Sequence, residues 1–173
     1  TAQLVAAMAD QNGISFLRTT REKTPVIYSS DEEFKIGGSK VVKQSSNDVA
    51  TVVAAGITVH EAIKAYEELQ KEGMSIRIVD AYSVKPIDVA TLIESLQATG
   101  GKLVIAEDHW PEGGLGEAVL SALADSGQVS LSDIKVKHLA VRDMPGSGKP
   151  QELLDAAGIS AKHIANAVRE LSK

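Results

Sequence analysis

From Ser39 onward, short apolar runs alternate with stretches whose apolar residues recur every three or four positions. Runs of the first kind suit buried strands, and stretches of the second kind suit amphipathic helices. Val41 and Val42 begin a first strand, and residues 49–55 (VATVVAA) form a second, with the turn cluster Ser45-Ser46-Asn47-Asp48 between them. So short a connection joins antiparallel neighbours, so this pair is predicted to be a hairpin. Residues 58–72 follow as a helix with Val59, Ala62, Ile63, Tyr66 and Leu69 on one stripe. Thr58 and Glu61 have capping-box spacing, and Gly73 suits the end of that helix. Residues 76–79 (IRIV) read as a strand, 88–97 as a helix, 102–106 (KLVIA) as a strand and 115–124 as a helix. After a polar loop over residues 125–133, residues 134–141 read as the last strand. Pro150 opens a short helix that Gly158 ends, and Ser160 is placed to cap a terminal helix carrying Ile164, Val168 and Leu171.

The N-terminal part is less regular. Residues 1–10 are Ala-rich and helix-compatible, with Leu4, Val5 and Met8 on one face, and residues 14–18 read as a strand. Residues 19–34 carry Pro25, charges and no sustained period, and Gly37-Gly38 breaks the chain again. The alternation beyond that break predicts an α/β domain of three layers, α/β/α, with a mostly parallel sheet and one antiparallel strand. Residues 37–173 would be that domain, and residues 1–36 the tail end of a preceding domain plus a linker.

With 43% hydrophobic residues but only 3% aromatics, the core must be built from Ala, Val, Ile and Leu. The net charge of −5, with no basic cluster among aromatics, argues against a nucleic-acid surface. The absence of cysteine removes disulfides, thiolate metal sites and thiol nucleophiles, and is compatible with a cytoplasmic setting. No apolar run approaches the roughly 20 residues needed to cross a bilayer, so no membrane is expected as a partner.

Candidate chemistry gathers in residues 105–119 (IAEDHWPEGGLGEAV), a strand end followed by two acids, a histidine, the sole tryptophan and a glycine turn. Gly113, Gly114 and Gly116 could cradle an anion at a helix N-terminus. The plainer reading is a tight turn that lets the helix pack closely, because the third glycine of a G-x-G-x-x-G pattern would fall on Val119. Glu107 and Asp108 are adjacent in an extended segment and point to opposite faces, which suits capping or interface bonding better than paired acid–base work. His109 could carry a proton beside them, or simply be a hydrogen-bonded surface or interface histidine. The run Gly146-Ser147-Gly148-Lys149-Pro150 fails as a phosphate loop, since Asp143 and Pro150 stand where glycine and a hydroxyl are needed. His60, His109, His138 and His163 show no metal-ligand spacing, so no metal site is expected. Arg18, Arg21 and Lys23 follow a strand end, as a solvated loop or as an anion contact.

Three segments carry a resemblance: EDHWPEGGLGEAV, DAYSVKPID at residues 80–88 and VRDMPGSGKPQELL at residues 141–154. In order and spacing they resemble the C-terminal domain of transketolase, with residues 1–36 similar to the end of its pyrimidine-binding middle domain. That resemblance implies a thiamine-diphosphate and Mg²⁺ enzyme that moves a two-carbon ketol unit from a ketose phosphate to an aldose phosphate. It implies cofactor sites in the N-terminal and middle domains and none in this chain, with no catalytic residue here. It also implies a homodimer, with Glu107, Asp108, His109, Trp110, Gly113, Gly114 and Gly116 at contacts between domains or subunits. Arg21 takes the place of an arginine that binds the sugar phosphate, with Arg18 as the neighbouring alternative. A second reading is a non-catalytic assembly or regulatory module of a related enzyme, a 1-deoxyxylulose-5-phosphate synthase or a 2-oxo-acid dehydrogenase beta subunit. A stand-alone nucleotide-binding domain is disfavoured by both failed glycine motifs.

Overall fold

A computed structural model describes residues 1–21 and 23–173. Its elements are α1 (Ala2–Ala9), β1 (Lys40–Lys43), β2 (Asp48–Ala54), α2 (Ile57–Gln70), β3 (Ser75–Asp80), α3 (Val89–Ala98), β4 (Lys102–Ala106), α4 (Leu115–Asp125), a 3-10 turn (Leu131–Asp133), β5 (Lys135–Leu139), α5 (Pro150–Ala156) and α6 (Ala161–Leu171). The strands form one sheet in the order β1-β3-β2-β4-β5. β3, β2, β4 and β5 run parallel, and β1 is antiparallel at the edge.

Alternation along the central strands divides the core in two. Val52 and Ala54 of β2, Ile76 and Ile78 of β3 and Val104 of β4 pack under α2 and α6. Val53, Val79, Leu103 and Ile105 face the other way, under α3 and α4. Both faces of β2 and β4 are therefore covered, which is why those strands read as largely apolar runs. The one polar residue in the middle of β2 is satisfied: the buried Thr51 hydroxyl donates to Ser95 O at 2.8 Å and meets Thr99 Oγ1 at 2.9 Å.

Four local expectations fail. The expected hairpin does not form, because β3 lies between β1 and β2 and takes β1 as its own antiparallel neighbour. Spanning two strand spacings needs roughly 10 Å, which a four-residue link reaches easily. Residues 14–18 are not a strand; they pair with no strand among the described residues, and Ile14 and Phe16 stand exposed. The capping box is absent: α2 starts at Ile57 after Gly56, whose φ of 61° uses glycine's left-handed freedom. Glu61 instead turns inward and accepts the Ala161 amide of α6 at 2.8 Å, with Lys64 Nζ at 2.6 Å on its other oxygen. Ser160 stands at the N-cap of α6 without a capping bond, its hydroxyl meeting His163 Nδ1 at 3.0 Å.

The irregular segment before the domain is fastened to it. Tyr28, Phe34 and Tyr82 stack edge to face, with centroids 5.0 Å apart in each pair. The Tyr28 hydroxyl donates to Asp80 Oδ2 at 2.7 Å, at the buried end of β3. Burial raises the Asp80 pKa above the ordinary carboxylate range, and the Tyr28 bond opposes that shift. A raised folded pKa gives stability that is complete below the unfolded value and is lost as pH rises through the folded one. Tyr28→Phe removes the opposing donor, so its cost is expected to grow with pH. Urea unfolding should show a loss of about 1–2 kcal/mol at neutral pH and a smaller one in acid. An equal loss at both pH values would contradict the role given to this bond.

Candidate functional site

The sheet reverses its strand order at β2, so an open α/β domain would offer its ligand crevice beyond the carboxyl ends of β2 and β4. Here that crevice is filled from within. Thr58, fully buried, donates its hydroxyl towards Ala106 O at 2.7 Å and lies 3.0 Å from Ala55 O, bridging the two strand ends. Immediately after β4, the Glu107 amide bonds Leu139 O at 3.0 Å, and the side chain folds inward to 3% exposure.

Glu107 occupies the position that an anion would take at the start of α4. Its Oε2 accepts the Leu115 amide at 2.5 Å, and its Oε1 accepts the Gly116 amide at 3.0 Å and meets His138 Nε2 at 2.5 Å. The free amides and positive dipole end of α4 are thus served by the chain's own carboxylate. The glycines make this possible. A Cβ on Gly114 would lie 2.1 Å from Glu107 Oε2, and one on Gly116 would lie 2.3 Å from His138 Nε2. The close approach inferred for the glycine turn is therefore used by Glu107 and His138. His138 was visible in the sequence only as one of four histidines. Its place follows from β4–β5 pairing, which sets it beside Ile105 across 33 residues of chain.

Of the residues grouped as an interface, Glu107, Gly114 and Gly116 are buried within the domain, whereas Asp108, His109, Trp110 and Gly113 are exposed. His109 turns its Nδ1 to Trp110 O at 2.8 Å, and its own carbonyl accepts the Val141 amide at 2.9 Å. Trp110 remains 43% exposed.

The basic segment lies beside the same turn. Arg18 Nη1 donates to Asp108 O at 2.9 Å and Nη2 to Asp108 Oδ2 at 3.2 Å, across 90 positions of sequence. Arg21 is exposed, three residues further on. Behind the turn, the late loop and α5 enclose a cavity of about 490 Å³ lined by His138, Arg142, Met144, Leu153 and Ile159. In that loop the Lys149 amide is taken by Glu152 at 3.0 Å, at the start of α5. Among the described residues, no group of three or more His, Asp or Glu is placed to hold a metal ion. Nor is any helix there long and apolar enough to cross a membrane.

The sequence model of the family "Transketolase, C-terminal domain" matches residues 39–164. The chain belongs to that family. Similarity to transketolases extends beyond the matched span. Transketolase-like protein 2 of Mus musculus is 49% identical over 170 residues, 98% of this chain and 26% of that protein. The transketolase of Homo sapiens is 45% identical over 171 residues, 99% of this chain and 27% of that protein. The chain thus spans about a quarter of the length of these transketolases. A split gene transketolase, described as an inactive beta4 tetramer, superposes with a TM-score of 0.78 at 38% identity, over 88% of this chain and 48% of that one. Transketolase from Leishmania mexicana shares the fold at a TM-score of 0.57 and 19% identity, over 79% of this chain and 18% of that one.

Proposed function

We propose that this chain is the C-terminal part of a transketolase that transfers a two-carbon ketol unit between sugar phosphates, and that it supplies Arg21 to the substrate phosphate. The observation that supports this reading is similarity to the human transketolase at 45% identity over 171 residues, 99% of this chain, a span that includes the FLRTTRE segment. A guanidinium suits the task, with a permanent charge and forked donors that match phosphate oxygens. Engagement of Arg18 by Asp108 favours Arg21 over Arg18 as the phosphate ligand.

Among the described residues, the carboxyl-end turn offers no fitting place for thiamine diphosphate and Mg²⁺. Thr58 and Glu107 occupy the carboxyl-end crevice, the Leu115 and Gly116 amides of α4 are already capped, and no cluster of three or more His, Asp or Glu among the described residues is placed to hold a metal ion. The proposal therefore leaves cofactor binding, and the carbon chemistry that the cofactor supplies, to the N-terminal and middle domains. This chain's share is to bind and orient the phosphate and to hold the assembly together.

In the complete enzyme, Arg21→Ala is expected to lower kcat/KM for phosphorylated sugars about 10- to 100-fold, as the loss of a charge-assisted contact implies. Unphosphorylated sugars should be affected much less. Steady-state kinetics with both classes decides, and an equal loss for both would make Arg21 structural.

For assembly, the proposed contact uses the outward members of the turn, His109, Trp110 and Gly113, around the half-exposed indole. Tryptophan buries a large ring at interfaces while its N–H finds a partner. Trp110→Ala should weaken the dimer of the complete enzyme in analytical ultracentrifugation, and an unchanged dissociation constant would remove Trp110 from the contact.

A further inference from the structure

We propose that Asp108 is a positioning residue for substrate phosphate: by clasping Arg18 it fixes the segment that carries Arg21. The proposal rests on the reading of Arg21 given above. It starts from how little else holds that segment. Ile14 and Phe16 are exposed, and residues 14–21 form no helix or strand. Among the described residues, the hydrogen bonds joining residues 13–24 to the rest of the chain are the two from the Arg18 guanidinium to Asp108.

Asp108, in contrast, stands on a rigid footing. The residue before it is tied to β5 through Leu139 O and has its side chain buried at the start of α4. The residue after it accepts the Val141 amide. The Arg18 fork grips both the carbonyl and the carboxylate of Asp108, which fixes direction as well as distance. Three residues of extended chain reach at most about 10 Å, so anchoring Arg18 confines Arg21 to the neighbourhood of this turn.

The size of the interaction indicates what it is for. Both side chains are about half exposed, at 58% and 48%. An ion pair so exposed adds only about 0–1 kcal/mol to folding. Removing it leaves the fold standing, and what it supplies is placement of a ligand ahead of binding.

The test uses the complete enzyme, with KM and kcat measured separately for a phosphorylated and an unphosphorylated ketose. Asp108→Ala should raise KM for the phosphorylated sugar roughly two- to fivefold, with kcat and the unphosphorylated sugar changing less. Asp108→Glu, which keeps the carboxylate, should recover most of that loss. Arg18→Ala should act in the same direction and at least as strongly, because it also removes the bond to the Asp108 carbonyl. The double variant should be no worse than Arg18→Ala alone. The proposal falls if Asp108→Ala leaves KM unchanged, or alters it equally for both sugars, while Arg21→Ala stays selective. It also falls if Asp108→Ala lowers KM, since a freed Arg18 would then be the phosphate ligand itself. If Arg21→Ala proves unselective, the reading of Arg21 fails and this proposal fails with it. The two failures are told apart by the Arg21 variant.

Discussion

Glu107→Ala is expected to destabilise the domain by about 3 kcal/mol, more than any other single change considered for this chain. The carboxylate is 3% exposed and serves three groups at once: the Leu115 and Gly116 amides and the His138 imidazole. Truncation leaves both amides without their acceptor in a place that water reaches poorly, and it removes the negative charge from the positive end of α4. It also opens a void that Gly114 and Gly116, having no side chains, do not fill. Glu107→Gln preserves the shape and one acceptor, so about half the loss is expected. His138→Ala should cost less than Glu107→Ala, because the two amide bonds survive. The double variant should cost less than the sum of the two, as befits one network. Urea unfolding of the four variants beside the unaltered chain measures all of this. A loss under about 1 kcal/mol for Glu107→Ala would mean that the carboxylate is not the cap of α4.

The consequence reaches function because the same turn carries three proposed roles. Glu107 faces inward and sets the start of α4, Asp108 faces outward and grips Arg18, and the half-exposed Trp110 follows. Opposite-facing neighbours in an extended segment are what the sequence implies for the acid pair, and they divide the labour between core and surface.

Local pattern was a good guide wherever one strand or helix decided its own fate. KLVIA was bounded as β4 at the residues observed, and α4 was found within one residue of its end. The fold class followed from that alternation, because parallel neighbours need crossover helices. What local pattern could not carry was pairing. Nothing in Val41–Val42 or the Ser-Ser-Asn-Asp turn announces that β3 will slot between β1 and β2. Residues 14–18 have the alternation of a strand, but a strand exists only against a neighbour, and none pairs with them here. Glu61 has the spacing of a local cap, yet its carboxylate serves Ala161, 100 positions away.

The site divides in the same way. That the glycine turn allows close packing is legible in the sequence, and a Cβ on Gly114 or Gly116 would indeed strike Glu107 or His138. That Glu107 fills the anion position, with His138 beside it, depends on the order of β4 and β5 and has no signature in either segment alone. The Arg18–Asp108 clasp joins segments 90 positions apart and could not be read from either. Arg21 was singled out by resemblance; on its own it reads as a solvated loop arginine.

The central claim is that this chain completes a transketolase without holding its cofactor. The 38%-identical split gene transketolase, described as an inactive beta4 tetramer, is the relative that motivates testing the chain by itself. Calorimetric titration of thiamine diphosphate with Mg²⁺, paired with a ketol-transfer assay, should be run on the chain alone and on the chain mixed with the N-terminal and middle domains of its enzyme. The account predicts no micromolar binding and no transfer for the chain alone, and both for the mixture. Micromolar cofactor binding by the chain alone, or transfer by the upstream domains that this chain does not increase, would contradict it.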